Sequence, residues 1–236
     1  MINIKNTDLI ENLSLETIAV WGIQVSEYSK DIKSLNSILS DSEKEKANSL
    51  NPHQKNVSIL ARGALRVLSA AYLNTEPEEI LFSRKVSGKP FLKDNSLAFN
   101  ISHSADWIIL AFGMSCNIGV DLEFLRDDIN YKKISKRFFS YEEQNALENS
   151  KNPIRLFFDL WAHKEAIIKA NGDRLLSSIK ATQIPIINME IDSTSKINQW
   201  QTHKIEAGSK YSAALAVDSY IANLPCYDFG GLEWEN

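Results

Sequence analysis

The sequence predicts an α+β protein of two similar, pseudo-symmetric lobes, each a small antiparallel sheet packed with a long helix. Three observations predict it. Two long segments keep helical apolar spacing, one beyond Pro52 and one beginning at Pro153. Short apolar runs bounded by turn residues surround each of them. The order of elements is alike in the two halves, although no sequence repeat joins them. The lobes are expected to meet near residues 114–118, so that 1–116 forms the N-terminal lobe and 117–236 the C-terminal one.

Thr17 to Val25 reads as a strand with Ile18, Val20 and Ile23 on buried positions. Ser40-Asp41-Ser42-Glu43 is a capping-box pattern that opens a short helix running to Leu50. Val57, Leu60, Ala61, Ala64, Leu65, Leu68 and Tyr72 then trace the apolar face of the first long helix, which ends before Pro77. Ile80 to Ser83, Leu97 to Ser102 and Trp107 to Gly113 read as strands, separated by Gly88-Lys89-Pro90 and by the Ser104-Ala105-Asp106 turn.

In the second half, Ile118 to Glu123 reads as a strand and Tyr131 to Phe138 as a helix, with Ser140-Tyr141-Glu142-Glu143 capping another. The second long helix runs from Pro153 to about Lys169 and is stopped by Asn171-Gly172. Ile184 to Ile187, Gln199 to Ile205 and Tyr211 to Val217 are the remaining predicted strands.

Composition narrows the function classes. A content of 44% hydrophobic and 24% charged residues in 236 is that of a globular chain able to bury a sizeable core. The net charge of −4 argues against bulk nucleic-acid binding but allows a local basic pocket for a phosphorylated ligand. Cys116 and Cys226 stand far apart without a CxxC, which indicates neither a zinc site nor a disulfide framework. The N-terminus lacks the zones of a signal peptide, and the longest apolar run, Trp107 to Phe112, is too short to span a bilayer. A cytoplasmic protein without membrane attachment is the expectation.

Two segments carry most of the chemistry. In Gly119-Val120-Asp121-Leu122-Glu123 the two acids lie two apart, on one face of a strand among apolar neighbours. In Trp161-Ala162-His163-Lys164-Glu165-Ala166-Ile167-Ile168-Lys169, Trp161, Glu165 and Lys169 fall on one helix stripe. Asp121, Glu123 and Glu165 together form an oxygen-rich donor set suited to Mg²⁺, beside a lysine suited to phosphate. Taken alone, Asp-x-Glu reads equally as a solvated strand-edge pair, and Glu165 with Lys169 as a surface ion pair.

Phe99-Asn100-Ile101-Ser102-His103-Ser104 places an imidazole and two hydroxyls at a strand end, where they offer phosphate donors or simply a polar turn. A Ser–His–acid triad is disfavoured, because adjacent Ser102 and His103 leave opposite sides of an extended strand. Lys89 reads as an exposed turn lysine. Arg62 and Arg66, four apart, read as a basic stripe that either grips a phosphate or solvates the outer face of the first long helix.

These segments, with Ala61-Arg62-Gly63-Ala64-Leu65-Arg66, Gly88-Lys89-Pro90 and Phe138-Phe139-Ser140-x-x-Glu143, follow one another in an order that resembles the Sfp-type 4′-phosphopantetheinyl transferases. The likeness covers roughly residues 40–175. It implies transfer of the phosphopantetheine arm of coenzyme A to a serine of an apo acyl or peptidyl carrier protein, releasing adenosine 3′,5′-bisphosphate. By that resemblance Asp121, Glu123 and Glu165 hold Mg²⁺ against the pyrophosphate. Lys169 contacts the same phosphates, and Glu165 or a metal-bound water takes the serine proton. Ser102 and His103 meet the 3′-phosphate region, and Lys89 and Arg62 the nucleotide end, placing the coenzyme A nucleotide on the N-terminal lobe.

The resemblance further implies a monomer whose stretch with Arg126, Lys132, Lys133 and Arg137 faces acidic carriers. One departure stands out: Arg174 occupies a place where relatives often carry a second glycine, which bears on the loop after the second long helix. Two rival readings remain at this point. One is a non-catalytic relative that binds coenzyme A or a carrier; the other is a two-metal phosphohydrolase, for which ordered histidine and carboxylate ligands are too few.

Overall fold

The computed structural model describes residues 3–4, 13–28, 30–93, 97–172, 179–180, 182–187, 191–192, 194–229 and 234–235. Arg174 lies outside the described residues. The first half holds β1 (Asn3–Ile4), β2 (Ala19–Gln24), α1 (Ile32–Ser37), α2 (Asp41–Asn48), α3 (Pro52–Leu73), β3 (Phe82–Arg84), β4 (Pro90–Leu92), β5 (Leu97–Ser104) and β6 (Trp107–Met114). The second holds β7 (Ile118–Phe124), α4 (Tyr131–Phe138), α5 (Tyr141–Asn149), α6 (Pro153–Asn171), β8 (Thr194–Ile197), β9 (Trp200–Ile205), β10 (Tyr211–Val217), β11 (Cys226–Asp228) and β12 (Trp234–Glu235).

Two four-stranded sheets result, ordered β11-β2-β6-β5 and β7-β10-β9-β8, with small pairs β3-β4 and β1-β12 beside them. Pairing is antiparallel throughout both sheets except where β11 runs parallel to β2. The α+β class and the pairing of each sheet with one long helix are as the sequence predicts. The last strand of the first sheet comes from residues 226–228, so the chain returns to that sheet after building the second one.

Apolar side chains set the layers. One cluster joins Leu60, Leu65 and Leu68 of α3 to Trp21, Phe99 and Phe112 of the first sheet. A second cluster lies between the sheets, with Val20, Ile109 and Ala111 against Val120, Leu122, Leu215 and Val217. A third joins Ala162 and Ala166 of α6 to Ala214 and Ala216. The order is therefore α3, sheet, sheet, α6. Strand β10 is buried along its whole length, and five of its seven residues, Ala213 to Val217, form a continuous apolar run.

Local signals mark the helix ends. Ser40 and Glu43 close the capping box of α2, and Ser140 and Glu143 that of α5. Asn51 and Asn152 cap α3 and α6 from outside their Pro residues, and Gly172 ends α6 at φ 78°. The predicted strand at Ile184 to Ile187 is corrected: residues 182–186 have no regular structure. There the Ile184 N–H donates to the Glu143 carboxylate at 2.8 Å, and Pro185 has no N–H to give. Strands β4, β8 and β11 and helix α1 are additions that the sequence reading did not contain.

Gly119 controls how closely α6 approaches β7. A Cβ at this position would lie 2.0 Å from the Ala166 carbonyl oxygen and 2.3 Å from the Ala170 nitrogen. Helix backbone therefore rests directly on strand backbone, and no side-chain rotation relieves the contact. Gly119→Ala should lower unfolding stability by about 2 kcal/mol or more, within the range for overpacked cores. Urea titration checks this, and an unchanged midpoint would contradict the close approach.

Candidate functional site

The contact at Gly119 brings one face of β7 against one stripe of α6. Asp121, buried at 4% exposure, points toward that helix. Lys169 donates to its Oδ1 at 2.6 Å, and also to the Val120 carbonyl at 3.2 Å and the Ser102 hydroxyl at 2.9 Å. The pairing expected between Glu165 and Lys169 is thus replaced by one between Lys169 and Asp121, a charge-assisted bond across two elements.

Glu123 and Glu165 share the pocket. The Glu123 carboxyl is pushed up to about 7, first by burial and then by the negative charges of Asp121 and Glu165. Burial and the charge of Asp121 likewise raise Glu165 to about 7, with Lys169 opposing. Three acids that repel one another in a poorly solvated space need a cation, and Lys169 supplies a single positive charge.

The fit of a second, divalent cation rests on one further observation: Asp121 Oδ2 is buried without a hydrogen-bond partner. Oxygen donors with an unpartnered buried lone pair suit a hard ion. Among the described residues, however, no group of three His, Cys, Asp or Glu side chains is gathered as a ready metal cage.

The N-terminal-lobe residues fall into two groups. Ser102 joins the site directly, since its hydroxyl donates to Asp121 Oδ1 at 3.0 Å. His103 leaves the other side of β5 and stands exposed, held below the usual imidazole range by desolvation and the Lys169 cation. Lys89 is half-buried rather than an exposed turn lysine: its ammonium donates to the Ile118 carbonyl at 2.8 Å and the Ala170 carbonyl at 3.0 Å. Burial lowers it to about 8. A cavity of about 480 Å³, lined by Lys89, Pro90, Phe91, Cys116, Asn117 and Asp218, opens beside it.

Arg62 and Arg66 do not form an outward basic stripe. Arg66 is 4% exposed, donating to Glu43 at 2.8 Å and to the Pro77 and Ile80 carbonyls at 2.8 and 3.1 Å. It ties α3 to α2 and to the turn before β3, which removes it from the candidate phosphate ligands. Arg62 lies over the Phe82 ring, 3.8 Å from Glu43, with Nη1 buried and unpartnered.

The sequence reading assigned no role to a pair that supports the site from behind. Lys164 and Glu143 meet at 2.9 Å with 0% and 1% of their side chains exposed. Lys164 also donates to the Ile179 and Thr182 carbonyls, and Glu143 accepts from the Ser140 and Ile184 amides. Every charge in this buried pair is satisfied, and it fixes α6 one residue before Glu165. The signal was present in Phe139-Ser140-x-x-Glu143, where the glutamate is legible as a capping residue and as part of the resemblance but its pairing with Lys164 is not.

Residues 26–115 match the family model described as 4′-phosphopantetheinyl transferase, N-terminal, and residues 117–224 that of the 4′-phosphopantetheinyl transferase superfamily. The chain is 29% identical over 218 residues to the 4′-phosphopantetheinyl transferase HetI of Nostoc sp., covering 89% of this chain and 92% of the relative. It is 32% identical over 158 residues to Sfp of Bacillus subtilis, covering 64% of this chain and 69% of that one. With gsp of Aneurinibacillus migulanus the identity is 37% over 150 residues, covering 61% and 56% respectively.

The raised carboxyls set a pH dependence. Between the ordinary carboxylate range and about 7, the folded protein holds protons at Glu123 and Glu165 that the unfolded chain has released. Their contribution to stability is complete below that window and is lost as pH rises through it. Buried His163 and His203, whose values are lowered by burial, act in the opposite sense at acid pH. Comparing melting temperatures of wild type and Glu123→Gln/Glu165→Gln across pH 5 to 8 cancels the histidines. The variant should gain stability relative to wild type as pH rises; parallel curves would contradict the crowded acids.

Proposed function

The chain belongs to the 4′-phosphopantetheinyl transferase superfamily, and from that we propose that it moves the phosphopantetheine arm of coenzyme A onto a serine of an apo acyl or peptidyl carrier protein. The observation that carries this reading is the joining of Lys169, Asp121 and Ser102 by bonds of 2.6 to 3.0 Å, beside two crowded glutamates. The site concentrates charge control, which is what displacement at a diphosphate requires.

In the reaction the serine oxygen attacks the phosphorus that carries the pantetheine arm. A new phosphorus–oxygen bond forms as the bond to adenosine 3′,5′-bisphosphate breaks. Glu165, directly or through a bound water, takes the serine proton. Lys169 balances the charge that collects on the leaving bisphosphate. Asp121, Glu123 and Glu165 would hold Mg²⁺, which when bound supplies Lewis-acid stabilisation and orients the two phosphates.

We place the nucleotide against Arg62, Lys89 and His103, near the cavity beside Lys89. The unpartnered Nη1 of Arg62 and the exposed ring of His103 support that placement. We also propose that the division at residues 116 and 117 separates nucleotide contacts from the acid-bearing, carrier-facing part. The basic residues Lys132, Lys133, Lys136 and Arg137 on α4, with Arg126 before it, face the carrier and steer its acidic surface.

A monomeric cytoplasmic enzyme is our reading of the setting. The free thiols of Cys116 and Cys226 support it, and no helix among the described residues is long and apolar enough to cross a membrane.

Purified protein incubated with magnesium, coenzyme A and a panel of apo carriers should add the phosphopantetheine mass to a carrier serine. Glu165→Gln should lower kcat by about 10² to 10⁴, the usual span for a lost general base. Charge reversal at Lys132 and Lys136 should raise the carrier KM and leave kcat in place. Coenzyme A binding without transfer in the wild type would favour the non-catalytic relative instead.

A further inference from the structure

Strand β7 is the edge of its sheet, hydrogen-bonded to β10 on one side only. Its outward amides at Val120 and Leu122 are nonetheless buried in the joint between the sheets, and that at Phe124 is half-buried, where an unpaired N–H is costly. No strand pairs with them. Instead, three side chains from alternate positions of β5 accept them: Asn100 Oδ1 from Val120 at 2.9 Å, Ser102 Oγ from Leu122 at 3.3 Å and Ser104 Oγ from Phe124 at 3.0 Å. Spacing of two puts all three on one face of β5, so the strand supplies a ladder of side-chain acceptors.

The middle rung differs from its neighbours. A serine hydroxyl has one proton to donate and two lone pairs to accept with. Ser102 donates to Asp121 Oδ1 at 3.0 Å and accepts from Leu122 N and from Lys169 Nζ at 2.9 Å. All three capacities are spent inside the protein. A hydroxyl so engaged has nothing left for a phosphate oxygen, whereas exposed His103 beside it does.

We infer that Ser102 is a positioning residue that fixes Asp121 and Lys169 relative to each other, and that Asn100, Ser102 and Ser104 form a latch that joins the two sheets by satisfying the edge amides of β7. The positioning half rests on the proposed transfer reaction; the latch half stands without it. Ser104 makes the same kind of bond to β7 but touches neither Asp121 nor Lys169, which provides the internal control.

The experiment compares Ser102→Ala, Ser104→Ala and Ser102→Thr in the full chain. Native-state hydrogen exchange should show faster exchange at Leu122 in the first and at Phe124 in the second. Transfer kinetics should separate them: Ser102→Ala should lose about 10- to 100-fold in kcat, the scale of a small misplacement, with the coenzyme A KM nearly unchanged. Ser104→Ala should retain wild-type kcat, and Ser102→Thr, which keeps the hydroxyl, should recover most of the loss.

A raised coenzyme A KM with kcat preserved in Ser102→Ala would make Ser102 a phosphate ligand and overturn the positioning role. Equal kcat losses in both alanine variants would reduce it to fold maintenance and overturn it as well. Unchanged exchange at both amides would overturn the latch. Were the wild type inactive on every carrier, the proposed function would fall, and the exchange measurements would still decide the latch.

Discussion

Helix backbone rests on strand backbone at Gly119, where a Cβ would lie 2.0 Å from the Ala166 carbonyl oxygen, and this contact positions the charged cluster. Residues 119, 121 and 123 share one face of β7, so the glycine that admits the helix necessarily aims the two acids at it. Residues 165 and 169 lie one turn apart on the helix, so the same contact presents a carboxylate and an ammonium to them. A bulkier residue at 119 would push the helix outward and open the cluster. The charge centre is thus a by-product of how tightly two backbones pack.

The cluster costs stability, and the surrounding structure offsets that cost. Burial and the charge of Asp121 favour the protonated forms of Glu123 and Glu165, and one lysine answers only part of the charge. The buried Lys164–Glu143 pair anchors α6 behind the site, and the polar rungs of β5 anchor β7 in front of it. Both supports are hydrogen-bonded, which offsets part of the cost of placing polar groups in the interior. The result is two crowded glutamates and a lysine-paired aspartate held between two polar supports.

Much of this was legible in the residues, and the failures have physical causes. Helix starts were readable because Ser40-x-x-Glu43, Ser140-x-x-Glu143, Asn51-Pro52 and Asn152-Pro153 are local chemistry that depends on no distant partner. The β-branched run at Ile184 misled because its amide serves Glu143, a partner 41 residues away. Strand β11 was missed because three residues, Cys226 to Asp228, acquire their strand character only by pairing with β2. Arg66 was expected on an outward stripe, free to grip a phosphate or to meet solvent, because helical periodicity cannot reveal Glu43 and two carbonyls waiting above it.

The candidate site was legible as a set of residues but not as a set of bonds. Asp121, Glu123, Glu165, Lys169 and Ser102 do converge, yet the lysine pairs with the strand acid and the serine serves the protein itself. We propose that this convergence serves to neutralise a diphosphate with a lysine and a divalent cation together. Calorimetric titration of coenzyme A into wild type and Asp121→Asn, with magnesium and after its chelation, tests that claim most directly. Wild type should bind at least about tenfold more tightly with magnesium, a difference of roughly 1.4 kcal/mol, and the variant should lose that dependence. Equal affinity with and without the metal in wild type would contradict it.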